Sequence, residues 1–191
     1  MAAPPTNLPS VTGVIAEFRA ALHGPVHPAR DGVVGLLLEL HHNNLVQWDR
    51  EDAARRGDAD DRTVAAAKRD IDALNTKRHE LVEAIDAELV AVTEQAPAAP
   101  PTTESPAMVF DRLSVLVIRL SFTETAASSP RADAALYAAR VPVLHQQLAL
   151  LHEALEALFD DVRAGRKRFV PYQSLKLYGS AASRAAGTRR D

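Results

Sequence analysis

The stretch 32–61, GVVGLLLELHHNNLVQWDREDAARRGDADD, decides the fold. Its first nine residues are as apolar as any core helix. The helical period then continues, but polar residues stand where leucines should recur. At about 100° per residue, Leu37, Asn44, Trp48 and Arg55 fall on one line, with His41 and Glu51 beside it. Gly57 stops the helix, and carboxylates follow in the first turn of the next one, where the helix dipole favours them. So short a turn makes the two helices antiparallel neighbours.

The partner helix repeats the pattern. Val64, Ala67, Ile71, Leu74, Leu81, Ile85, Leu89 and Val92 form an apolar stripe with Arg78 at its middle. Asn75, Lys68, His79 and Asp86 line one edge of that stripe. With the turn centred near Gly57, His41 lies level with 76–78, Asn44 with 71–75 and Glu51 with 65–68. This register predicts one polar layer of His41, Asn44, Asn75 and Arg78. A second, nearer the turn, holds Trp48, Glu51, Asp52 and Lys68. A buried guanidinium without an acceptor is costly, so Arg78 needs a carboxylate or water.

Working outward, the sequence predicts helices over 10–22, 31–56, 60–95, 106–128 and 131–164. Ser105 and Pro106 suit a helix start, Pro142 predicts a kink in the fifth helix, and Gly165 its end. The Pro-rich connector 96–106 cannot continue a helix and reads as flexible, and no segment alternates like a strand. The expected fold is all-α: an up-down bundle of about five helices built from two long hairpins, with an irregular C-terminal segment. Residues 1–9 and 179–191 read as disordered ends around a single domain over 10–178.

Composition limits the chemistry. The 191 residues carry a net charge of −3 and no cysteine, which excludes disulfides, thiolate nucleophiles and Cys-ligated metal sites. Nothing in the charge pattern calls for nucleic acid or a membrane, and a cytoplasmic location is the default. Glu39 and His42 form one Glu-x-x-His pair without a second, and HELVE and HEALE lack the second histidine of a zinc motif. Neither a metal nor a cofactor is expected. Walker, GxGxxG and GxSxG motifs do not occur. Helix four, VFDRLSVLVIRL, is apolar almost all round. Its Asp111 reads first as a cap or surface charge, and alternatively as the acceptor Arg78 needs.

The set NLVQWDREDAAR at 44–55, KRDIDALNTKR at 68–78, Ile85–Asp86, DRLSV at 111–115 and YQSLKLY at 172–178 resembles the bacterial domain-of-unknown-function family 4254. The likeness spans about 22–178 and departs from the family pattern at Leu45, His79, Glu80 and Leu175. The resemblance implies no activity. It implies that Asn44, Trp48, Glu51, Asp52, Arg55, Asn75, Arg78 and Asp111 belong to one recurrent pattern.

The expected function is binding of a small polar or anionic metabolite between helices two and three, with biosynthetic catalysis as its extension. Arg78, Arg55 and Lys68 would hold the anion, and Asn44 and Asn75 would orient it. Glu51 or Asp52, or else His41 or His79, would move a proton, and Tyr172, Lys176 and Tyr178 would close the site. The alternative is a non-catalytic interaction or assembly protein, in which the polar layers fix helix register and the leucine seams serve a partner or, in a homodimer, a second copy.

Overall fold

The computed structural model describes residues 8–24, 31–54 and 60–175. It contains five helices: α1 Val11–Ala21, α2 Gly32–Ala54, α3 Asp61–Ala91, α4 Pro106–Ala127 and α5 Ala134–Arg163. The all-α bundle is as expected, and the described residues contain no strand beyond a single bridge between Pro101 and Arg168.

Local sequence sets most boundaries. The Ser10, Asp60 and Ser105 side chains accept from the backbone N–H three residues on, capping α1, α3 and α4. Pro106 occupies the first turn of α4, where its missing N–H costs nothing. Gly165 adopts φ +68° just beyond α5, the left-handed stop that glycine permits. Pro142 lies inside α5, which continues on both sides of it.

Two hairpins, α2–α3 and α4–α5, supply the main packing, and α1 lies across α2, α4 and α5. Helix α4 alone touches all four others. Its Phe110, Leu113 and Ile118 are fully buried, and Phe110 meets Phe159 of α5 with ring centroids 6.1 Å apart. Each such side chain stabilises the fold by roughly 1.5–3 kcal/mol. The α2–α3 pairing follows the expected register: Lys77 pairs with Glu39 at 3.0 Å and Arg50 with Asp70 at 3.4 Å. Apolar burial on α3 is concentrated in its later half, at Leu81, Ile85 and Leu89, whereas Val64 is exposed and Ile71 and Leu74 are half-buried.

Two expectations need correction. Helix α3 ends at Ala91 rather than near Gln95, and Gln95, beyond the helix, accepts through its side chain from the Phe169 N–H at 2.7 Å. The connector is also held rather than free. Arg168 N–H donates to the Pro100 carbonyl at 3.1 Å, and Thr102 N–H donates to the Arg168 carbonyl at 2.9 Å. Phe169 is buried beneath this pairing. Of the ends expected to be disordered, 1–7 and 179–191 lie outside the described residues, while Leu8 packs into the core.

Asp86 closes this corner. It is fully buried, and it accepts from Ala107 N–H at 3.0 Å and Tyr172 N–H at 2.9 Å. Burial raises its pKa, and hydrogen bonds from Ser105, Tyr172 and Ala107 oppose that rise. One carboxylate therefore ties α3 to the start of α4 and to the C-terminal segment. Asp86→Ala leaves two amides without an acceptor, at about 1–3 kcal/mol for each buried group. We expect a lower urea midpoint and much faster amide exchange at Tyr172. Unchanged exchange there would show that the segment is held by other contacts.

Candidate functional site

Helix α4 is not apolar all round where it meets α2. Asp111 and Ser114, one turn apart, are both buried and face His41 and Asn44, also one turn apart on α2. Asn44 Nδ2 donates to Asp111 Oδ1 at 2.9 Å and to Ser114 Oγ at 3.1 Å. The Ser114 hydroxyl lies 2.9 Å from His41 Nδ1. Since it already accepts from Asn44, it is assigned as the donor to His41. From α3, Arg78 Nε donates to Asp111 Oδ1 at 2.8 Å, and Nη2 bonds Oδ2. Three helices thus meet at one carboxylate. Asp111 is the acceptor for Arg78 and not the surface charge its position first suggests.

A second polar line of α2 faces α3. Gln47 Nε2 donates to Glu51 Oε1 and to Asn75 Oδ1, both at 3.2 Å, and Asn43 Nδ2 donates to the Leu74 carbonyl at 3.2 Å. Sequence reasoning overlooked Asn43 and Gln47. Their spacing of four from each other and from Glu51 was the signal for a second face.

The expected layers are therefore redistributed. His41, Asn44 and Arg78 come together, but through α4, while Asn75 joins Gln47 and Glu51. Trp48 stacks on Phe122 of α4 at 5.5 Å with rings 13° apart, so it does not join a layer with Lys68. Asp52 and Lys68 are exposed. His79 packs on the Tyr172 ring at 6.0 Å, next to the C-terminal segment. Tyr172 thus lies with His79 and Asp86 rather than over Arg78. Arg55, Lys176 and Tyr178 lie outside the described residues.

Among the described residues, well-formed open space lies beside α4. A cleft of about 500 Å³ is walled by α3, α4 and α5. Arg78, Arg112 and Arg119 reach it, over an apolar floor that includes Leu116, Leu150 and Leu151. Arg78 spends Nε and Nη2 on Asp111, which leaves Nη1 outside that pair of bonds. Arg112 is gripped by both oxygens of Glu104 at 2.8 Å. Arg119 has no ion-pair partner among the described residues. Those residues also contain no cluster of three or more His, Asp or Glu able to hold a metal. No described helix is long and apolar enough to cross a membrane.

The sequence model of one protein family, described as "Protein of unknown function (DUF4254)", matches residues 35–170. The chain belongs to that family. The match runs from α2 through α5 to the Pro101–Arg168 bridge, and so takes in the whole Asp111 network and the cleft beside it. No curated protein and no solved structure matches the chain.

Within this DUF4254 core, His41 is the group most altered by its surroundings. Its ring stacks on Phe18 at 4.5 Å, and burial pushes its pKa down to about 4, with His42 adding a smaller push. The folded protein thus keeps His41 neutral at pH values where the unfolded chain takes up a proton. Its contribution to stability is complete above pH 6.5 and is lost as pH falls towards 4, a change on the order of 3 kcal/mol. Asp86, whose pKa is raised, works in the opposite direction at lower pH. Comparing wild type with His41→Gln cancels the Asp86 effect. We expect urea midpoints of the variant to fall less between pH 7 and 4.5; parallel pH curves would contradict the buried neutral imidazole.

Proposed function

We propose that this protein binds a small organic anion with an apolar part in the cleft between α3, α4 and α5. The observation that carries this reading is Arg119, a cation without an ion-pair partner among the described residues, beside Arg78 and Arg112 and above an apolar floor. Guanidinium groups suit carboxylate or phosphate oxygens, and the leucine floor would bury the ligand's apolar part. The Asp111 network supports the same reading. It holds Arg78 charged and fixes its direction, so little order must be imposed when a ligand arrives.

Catalysis by the buried cluster has less support. His41 and Ser114 are almost completely covered, and the polar groups walling the Arg78 cleft are arginines and Gln147, which do not exchange protons near neutral pH. Binding or carriage is therefore the reading favoured over turnover. A second reading draws on Leu136, Val143 and Leu150, seven residues apart on α5 and 65%, 52% and 58% exposed. Such a line suits a second copy of the chain. Because Leu150 also lines the cleft, a dimer across this face would compete with the ligand.

Thermal unfolding with dodecyl phosphate, dodecanoate and inorganic phosphate tests the binding reading, with light scattering recorded alongside. A ligand present at a hundred times its Kd stabilises by about 2.7 kcal/mol, which raises Tm by roughly 5–10 °C for a domain of this size. We expect that rise with dodecyl phosphate, and its loss in Arg119→Ala with little change in the unliganded Tm. Arg78→Ala is a poorer probe because it strands the buried Asp111 carboxylate. If no anion shifts Tm and the protein scatters as a dimer, the assembly reading takes its place.

A further inference from the structure

The Arg78 cleft does not end at Arg119. A second cavity of about 680 Å³ lies between α2, α4 and α5, and Arg119 and Gln147 line both. On α4 the residues Arg112, Leu116, Arg119, Phe122 and Ala126 recur every three or four positions, so they form one stripe. At 1.5 Å per residue this stripe is about 21 Å long. The two cavities are successive lobes of one groove along α4 and α5.

The lobes differ in chemistry. The first has an apolar floor. The second is aromatic and charged: Phe122 stacks on Trp48 and is still 42% exposed, which leaves ring surface facing the cavity. Tyr137 carries the guanidinium groups of both Arg131 and Arg140, each 5.6 Å from its ring centre. Arg131 is paired with Asp133, whereas Arg140 has no ion pair among the described residues. Asp49 and Asp52 also line this lobe.

Resting on the anion-binding reading above, we propose that the ligand is a nucleoside diphosphate bearing an apolar chain. An aromatic base stacks on Phe122, as bases do on exposed protein rings. The diphosphate lies between Arg119 and Arg140, the two arginines lining the groove that have no ion pair among the described residues. Asp49 and Asp52 accept from ribose hydroxyls or the exocyclic amine of the base. The chain runs past Gln147 onto Leu116, Leu150 and Leu151. A simple amphiphile would fill only the first lobe, and a free nucleotide only the second.

Isothermal titration with three probes tests this assignment: dodecyl phosphate, ADP and the dodecyl ester of ADP at its β-phosphate, which joins the nucleoside diphosphate directly to an apolar chain. Joining two weakly bound parts raises affinity by roughly 100-fold or more where both sites are engaged together. We expect the conjugate to bind at least that much tighter than dodecyl phosphate. We also expect Phe122→Ala to reduce it to the level of dodecyl phosphate, leaving dodecyl phosphate binding itself unchanged. Leu150→Asp should weaken the conjugate and dodecyl phosphate while sparing ADP. If dodecyl phosphate binds but the conjugate is no tighter, the second lobe is not a nucleotide site and only the simpler reading stands. If no probe binds, both readings fall.

Discussion

The bundle depends on a single carboxylate. Asp111 sits on the one helix that touches all others, and it draws Asn44 from α2 and Arg78 from α3 onto the same two oxygens. Apolar packing alone would let α2 and α3 slide or rotate against α4 at modest cost, because leucine seams repeat along their length. A bidentate guanidinium bond with a buried amide beside it does not tolerate such a shift. The pair therefore fixes both the rotation of α3 and the height at which the α2–α3 hairpin meets α4. Because Arg78 also reaches solvent-accessible space, the contact that sets the register also aims a charge into the cleft.

Helix count, the antiparallel register of α2 and α3, and the importance of Arg78 were legible from spacing alone. These are properties of one helix face, and a face is what a 3.6-residue period reports. The period does not say which helix that face will meet. His41 and Asn44 were read as facing α3 because the short turn guarantees that neighbour, whereas they turn towards α4, which is distant in sequence. Asp111 was read first as a surface charge, with the Arg78 acceptor only as the alternative, and Ser114 was given no partner, for a related reason: within so apolar a helix, two polar residues read as exceptions rather than as the acceptors required by others. The cleft was less legible still. It is walled by α3, α4 and α5, and Arg112 and Arg119 read singly are ordinary surface arginines.

Burial separates the two kinds of polar chemistry in this molecule. His41, Ser114 and Asn44 are nearly inaccessible, and their bonds are made with one another and with Asp111. Arg119 and Arg140, by contrast, are exposed and without an ion pair among the described residues, and they stand along a groove that includes Phe122 and Leu150. The first group specifies the fold, and the second is where recognition can occur. Arg78 alone belongs to both. That division explains why the residues most conspicuous in the sequence are not the ones that wall most of the open space.

The Asp86 clip has a consequence for how the chain reaches this state. Its two backbone donors come from positions 21 and 86 residues further along. While the chain is being synthesised, α3 can form and meet α2 long before Tyr172 exists to complete the clip. Until then a carboxylate destined for the interior still needs water, which keeps that end of α3 from closing over it. Contacts of such long sequence separation also form late, since the loop between them must first be closed. Sealing of the bundle is thus deferred to the segment that carries Tyr172, and a chain cut short before Tyr172 would retain its helices with one corner open.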